Sequence, residues 1–185
     1  DVIPTERTTP ESFEVQKLFR EMADAGCTHV VMETSSHALY LDRVYGVRYD
    51  VGIFTNLTQD HLDFHKTMEN YCDAKAILFR NCVTGVVNAD DPWTPRLLKD
   101  ADCKVMTYAE QADADLRAEN IVLSAGGIAF DAVSGAERVP IRVNIPGGFM
   151  VYNTLDVLGA ALALGISLEE SAVVLAKVPH VKGRV

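Results

Sequence analysis

The chain has 185 residues, enough to bury a full core, and its 48% apolar and 23% charged residues describe an ordinary folded domain rather than a disordered one. A formal net charge of −9 argues against non-specific nucleic-acid binding, which needs basic surface, but leaves room for a locally positive site that takes phosphorylated ligands. The longest apolar stretch, LDVLGAALALGI (155–166), falls short of the roughly 20 residues of a membrane-crossing helix, and the four cysteines, with no CxxC pair, read as reduced thiols of a cytoplasmic protein.

In chain order, TTPESFEVQKLFREMADAG (8–26) predicts a helix N-capped by Thr9, with Pro10 at the first helical position and Gly26 ending it. Phe13, Leu18, Phe19 and Met22 recur near helical period. THVVME (28–33) predicts a short buried strand ending in Glu33, SSHALYLDRVYG (35–46) a loop or short helix, and YDVGIFTNL (49–57) a second strand. MENYCDAKAILFRN (68–81) predicts a helix with Tyr71, Ala74, Ile77 and Leu78 on one side. A third strand with a turn, GVVNADD (85–91), a helix capped by Asp91 (91–101) and a fourth strand, CKVMTYA (103–109), follow. Strands alternating with helices imply an α/β fold with a mostly parallel, doubly wound sheet. Residues 115–146 then change character: three short strands around the turns AGG and SGAE predict a small antiparallel β subdomain. Two helices, 151–165 and 168–178, close the chain.

Open α/β sheets gather ligands outside the carboxyl ends of their strands. Three such ends carry polar clusters: Glu33 to His37; Thr55, Asn56, Thr58, Asp60, His61, Asp63 and His65; and Asn88, Asp90 and Asp91. Glu33 and His61 are candidate ligands of one divalent cation, a pair that suits Zn²⁺ more specifically than Mg²⁺ or Mn²⁺. The bland alternatives are a helix-capping Glu33 and a His61 bonded to backbone. His61 and His65 share a helical face, but Leu62 stands where an HExxH protease carries its general base. By itself Lys75, among apolar neighbours, reads as a surface lysine, and Thr8 and Thr9 as cap residues. The chain holds no GxxxxGK[ST] or GxGxxG loop.

Six stretches occur in a telling order: TTP (8–10), METSSHAL (32–39), FTNLTQDHLDFH (54–65), DAKAILF (73–79), NADD (88–91) and PGGFMVYN (146–153). Together, over nearly the whole chain, they resemble the central domain of the Mur ligases. The E[TV]SSHAL and NLTQDHLD[YF]H forms resemble the branch that adds a diamino acid. The resemblance implies that residues 1–185 are part of an ATP-binding catalytic domain, with 115–146 a subdomain within it. It implies an ATP-dependent ligase that phosphorylates UDP-MurNAc-L-Ala-D-Glu and joins it to meso-diaminopimelate or L-lysine, with Mg²⁺ as cofactor and neither nucleic acid nor membrane as partner. Glu33 and His61 match the family's magnesium ligands, and Lys75 its carbamylated lysine. Thr8, Thr9, Ser35 and Arg43 match contacts to the nucleotide-sugar substrate; Asn56, Asn153 and Arg184 match the nucleotide side. Asp60, Asp63 and His65 are expected to set the loop and the helix start.

Several positions depart from the pattern. Met150 stands where an asparagine is common, Gly148 where arginine is, Leu41 where some relatives use glutamine, and KGR (182–184) replaces PGR. The resemblance also implies a glycine-rich phosphate loop upstream of Thr8 and an amino-acid-selecting domain after Arg184, so the chain is expected to be a fragment that does not ligate alone. The competing readings are a folylpolyglutamate- or cyanophycin-type ligase, a metal-dependent hydrolase built on Glu33, His61 and a carbamylated Lys75, and a non-catalytic, interaction-only domain.

Overall fold

The computed structural model describes Thr5 and residues 7–179, so the expected role of Arg184 lies outside the described residues. Among the described residues six strands form one sheet whose spatial order follows the chain: β1 (Tyr49–Phe54), β2 (Cys82–Asn88), β3 (Lys104–Ala109), β4 (Leu116–Ser124), β5 (Gly127–Ser134) and β6 (Glu137–Val143). The first four pair in parallel, and β4–β5–β6 pair antiparallel, so the hairpins over 115–146 continue the parallel sheet through the β3–β4 ladder.

Both faces are covered, as a parallel sheet requires. The neighbours Val86 and Val87 on β2 point to opposite sides and are both fully buried. Val86 belongs to a core with Tyr108, Phe130 and Ile141 of the sheet, Leu155 and Leu158 of α6 (Phe149–Ala163) and Leu168 of α7 (Leu168–Leu175). Val87 belongs to a second core with Phe54, Tyr71 of α4 (Met68–Ala76), Phe79 of the following 3-10 turn and Leu97 of α5 (Thr94–Leu97). Close approach of α6 depends on Gly159, where an added Cβ would lie 2.6 Å from Val86 Cγ1.

Three local expectations are corrected. The first helix, α1, spans Ser12–Asp24 and is capped by Glu11 in a capping box with Glu14. Thr9 is not its cap, because the Thr9 hydroxyl donates to the Glu33 carbonyl and accepts from Ser35 N–H, each at 3.0 Å. Likewise Asp91 does not cap α5: its Oδ1 accepts from Trp93 N–H and its Oδ2 from Leu57 N–H, both at 2.8 Å. Residues 28–33 do not form a buried strand. They carry no ladder among the described residues, and Val31 is wholly exposed. An apolar run specifies a strand only when another edge offers N–H and C=O partners.

Asp156 is the strained point of the core. It sits on α6, 5% exposed, and its buried Oδ1 has no partner among the described residues. The nearby Tyr108 hydroxyl donates instead to the Phe54 carbonyl at 3.0 Å. Burial pushes the Asp156 carboxyl up to about 7, with Tyr108 pulling the other way. The fold therefore holds a proton that the unfolded chain has released above its ordinary value of 3.8. Stability is fully present below that value and falls by about 1.4 kcal/mol per pH unit until the folded carboxyl has ionised. Asp156→Asn is expected to remove this slope. In urea titrations the variant gains on the parent at pH 8 and much less at pH 5.5; a gain independent of pH would show that ionisation of Asp156 is not the cause.

The outer edge of β1 has no ladder partner among the described residues, and Ile53 beside it is exposed. Such an edge templates pairing with other chains. Sedimentation velocity of the chain is expected to show self-association that rises with concentration and is reduced by Ile53→Lys. Unchanged association in that variant would place the contact elsewhere.

Candidate functional site

A cavity of about 1280 Å³ opens beside the free edge of β1. Its walls are residues 28–37 on one side, the β1 strand and the loop after it on the other, and side chains of α4 and α6. Thr8, Thr9, Glu33, Ser35, Arg43, Asn56, His61, Lys75 and Asn153 all line it, so nine of the sequence-predicted site residues meet in one place. The third predicted cluster does not join them. Asn88 donates from Nδ2 to the Thr55 carbonyl at 3.0 Å, and Asp90 accepts N–H groups of Glu110, Gln111 and Ala112 and the Tyr152 hydroxyl. Those backbone donors hold the Asp90 carboxyl below the usual carboxylate range against the opposing effect of burial. Asn88, Asp90 and Asp91 frame the loops behind the cavity.

One end of the cavity is a polar knot. Besides bonding Thr9, Ser35 caps the short helix α2 (Ser36–Tyr40), its hydroxyl accepting from Ala38 N–H at 3.1 Å. Arg43 is nearly buried; its Nε lies 3.2 Å from Glu11 Oε1 and its Nη1 donates to the Thr9 carbonyl at 3.5 Å. The guanidinium is thus fixed at the cavity wall with its fork partly engaged.

The other end is a cluster of rings. His61 begins α3 (Leu62–His65) with left-handed backbone, φ 54° and ψ 23°, a conformation uncommon outside glycine. Its N–H is taken by Asp60 Oδ1 at 2.8 Å. His37 meets the His61 ring edge-on, centroids 5.0 Å apart, and Tyr71 meets it edge-on at 5.9 Å. His65 is buried; its Nε2 bonds Ser36 Oγ at 2.9 Å and its ring stacks on Tyr71 at 5.2 Å. Burial, with the neighbouring imidazoles, lowers the His65 proton affinity, and burial likewise lowers that of His37. Lys75 is one helical turn beyond Tyr71, its Nζ 5.3 Å from the ring centroid. Burial lowers the Lys75 pKa, and the Glu33 carboxylate is the largest influence opposing that shift. The bland reading of Lys75 as a solvated surface lysine is therefore set aside: it is a part-buried amine in a cavity wall.

Among the described residues no group of three or more His, Cys, Asp or Glu side chains forms a ready metal cage. That donor count gives no closed structural zinc site among the described residues. Glu33 and His61, both exposed to the cavity, suit the open mode in which a hard cation keeps several waters and shares its remaining positions with ligand phosphates. Asn153 also faces the cavity, with Nδ2 3.8 Å from Met150 Sδ, while Met150 packs against the core beneath α6. Sequence reading placed Tyr71 only on an apolar helix face. Its spacing of four from Lys75 was the one available signal that it shares the cavity wall.

Known proteins agree with this architecture. The Mur ligase middle domain matches residues 1–161. The UDP-N-acetylmuramoyl-L-alanyl-D-glutamate--2,6-diaminopimelate ligase of Clostridium botulinum is 49% identical over 98% of this chain, and a ligase of that name from Clostridium acetobutylicum is 50% identical over the same share. The chain spans 38% of the length of each. A solved structure of a ligase with that name superposes with a TM-score of 0.90 at 29% identity, covering 98% of this chain and 39% of that one. With this sheet, these motifs in this order and these matches, the chain belongs to the Mur ligase family, as its middle domain.

Proposed function

We propose that the chain is the central part of a cytoplasmic, ATP-dependent ligase that joins a diamino acid, 2,6-diaminopimelate, to UDP-MurNAc-L-Ala-D-Glu in peptidoglycan synthesis. The observation that carries this reading is that Glu33, His61 and Lys75 line the same cavity as the knot of Thr9, Ser35 and Arg43. The substrates follow from the names of the relatives, which are the longer proteins of which this chain matches a part.

In this reading ATP transfers its γ-phosphoryl group to the D-glutamate carboxylate, giving an acyl phosphate and ADP. The amine of the diamino acid attacks the acyl carbon, and the tetrahedral intermediate collapses to an amide and inorganic phosphate, releasing the amine proton. The chemistry is mainly positioning and neutralisation of charge. Thr8, Thr9, Ser35 and Arg43 hold the nucleotide-sugar substrate, Arg43 through an anionic oxygen. Asn56 and Asn153 face the nucleotide. Glu33 and His61 hold Mg²⁺, which when bound neutralises phosphate oxygens. Burial favours the neutral amine of Lys75, the form that adds to CO₂ and loses a proton to become a carbamate, which would give the site a second anionic ligand beside the Glu33 carboxylate and the neutral His61 imidazole.

The test is ligation by the full-length enzyme carrying this domain, read as ADP release and amide product with UDP-MurNAc-L-Ala-D-Glu, 2,6-diaminopimelate, ATP and Mg²⁺. Glu33→Gln, His61→Ala and Lys75→Ala are each expected to lower kcat by about 100-fold or more, as loss of a charge-stabilising group does. Product formation that needs no ATP, or that survives all three substitutions, would sink the ligase reading. Chelation of divalent cations is expected to stop the reaction reversibly; ligation at full rate in excess EDTA would remove the cation from the scheme.

A further inference from the structure

Tyr71 touches the three other ring or amine groups that matter at the cation end of the cavity. Its ring stands perpendicular to that of His61, stacks on His65 at an interplanar angle of 19°, and lies beneath the Lys75 amine. Tyr71 is itself almost buried, on a helix whose start is capped by the Thr67 hydroxyl. His65, the ring it stacks on, is anchored by Ser36. The ring is thus held from behind and presents a fixed surface forward.

His61 needs such a surface. Its left-handed backbone is a sparsely populated conformation, and conformations of that kind persist only where the surroundings over-determine them. No hydrogen bond from the His61 ring, beyond its approach to Asp60 at 3.5 Å, is seen among the described residues. Its imidazole is placed instead by two perpendicular ring contacts, from His37 and Tyr71. Lys75 is one turn from Tyr71 on the same helix, so the same ring sets how far the amine stands from the imidazole.

We infer that Tyr71 is the positioning residue of this site: its ring fixes His61 and Lys75 relative to one another and acts on the bound cation through them, without touching it. The inference rests on the cation-dependent ligase reading. It differs from a plain packing role in what it predicts. Loss of the ring shifts cation affinity, not only thermal stability, and the ring rather than the hydroxyl is what counts.

The experiment compares Tyr71→Leu and Tyr71→Phe in the full-length enzyme. Two readouts are taken: Mn²⁺ binding, followed as the loss of the free-ion electron paramagnetic signal, and the Mg²⁺ concentration giving half-maximal ligation. Tyr71→Leu is expected to weaken both by about tenfold, the usual effect of removing a group that orients a metal ligand, while Tyr71→Phe restores both to within about twofold. Combining Tyr71→Leu with Lys75→Ala is expected to weaken Mn²⁺ binding by less than the product of the two separate effects. If Tyr71→Leu does not fold, His65→Gln, which removes the face on which the ring stacks, must give the same direction of shift. Wild-type cation affinity in Tyr71→Leu or in a folded His65→Gln, or a Phe variant as impaired as the Leu variant, overturns the inference. A parent enzyme that shows no cation-dependent ligation at all overturns the reading beneath it instead.

Discussion

The end of β1 is held by side chains that reach it from β2, β3 and the turn after β2, and the site depends on that anchorage. The Tyr108 hydroxyl lies 3.0 Å from the Phe54 carbonyl and 3.4 Å from that of Thr55, Asn88 donates to the Thr55 carbonyl, and Asp91 takes the Leu57 N–H. These groups are largely buried, where a lost partner costs about 1–3 kcal/mol, so residues 54–57 have little freedom. The chain leaves the sheet at a fixed point and arrives four residues later at His61. Residues that look from sequence like a third set of ligands are thus the frame of the other two.

A continuous line of contacts joins the two ends of the cavity. Thr9 bonds Ser35; the adjacent Ser36 bonds His65; His65 stacks on Tyr71; Tyr71 lies under Lys75. The knot around Arg43 and the ring cluster around His61 are therefore two faces of one short helix, α2, rather than separate pockets. The Arg43 end and the Lys75 end are thus held in register by these hydrogen bonds and ring contacts. The serine pair in METSSHAL divides the labour: Ser35 caps and Ser36 tethers.

Much of this was legible in the sequence, and the failures have physical reasons. Alternation of strand and helix signals, the AGG and SGAE turns and the polar residues after YDVGIF gave the sheet, its antiparallel extension and the cavity edge. Periodicity reports which residues want burial but not which partner will cover them. That is why 28–33 read as a buried strand yet lies without a ladder among the described residues. Cap signals are local, so Thr9 and Asp91 passed for N-caps although the Thr9 hydroxyl and one Asp91 oxygen are engaged with groups more than 20 positions away. Lys75 stood out only through the family resemblance, Tyr71 was an ordinary residue until the fold put a cavity against it, and the left-handed turn at His61 has no signature in its residue type.

The sheet's spatial order, identical to its order along the chain, bears on how the domain is made. Each strand from β2 to β6 pairs with the one synthesised just before it. A growing chain can therefore add strands at a single advancing edge, and no later strand has to insert between two already paired. Loop-closure entropy stays modest at every step, which favours fast assembly during translation. Helix α6 follows all six of these strands in the chain and covers the sheet face that holds Val86, Tyr108 and Phe130.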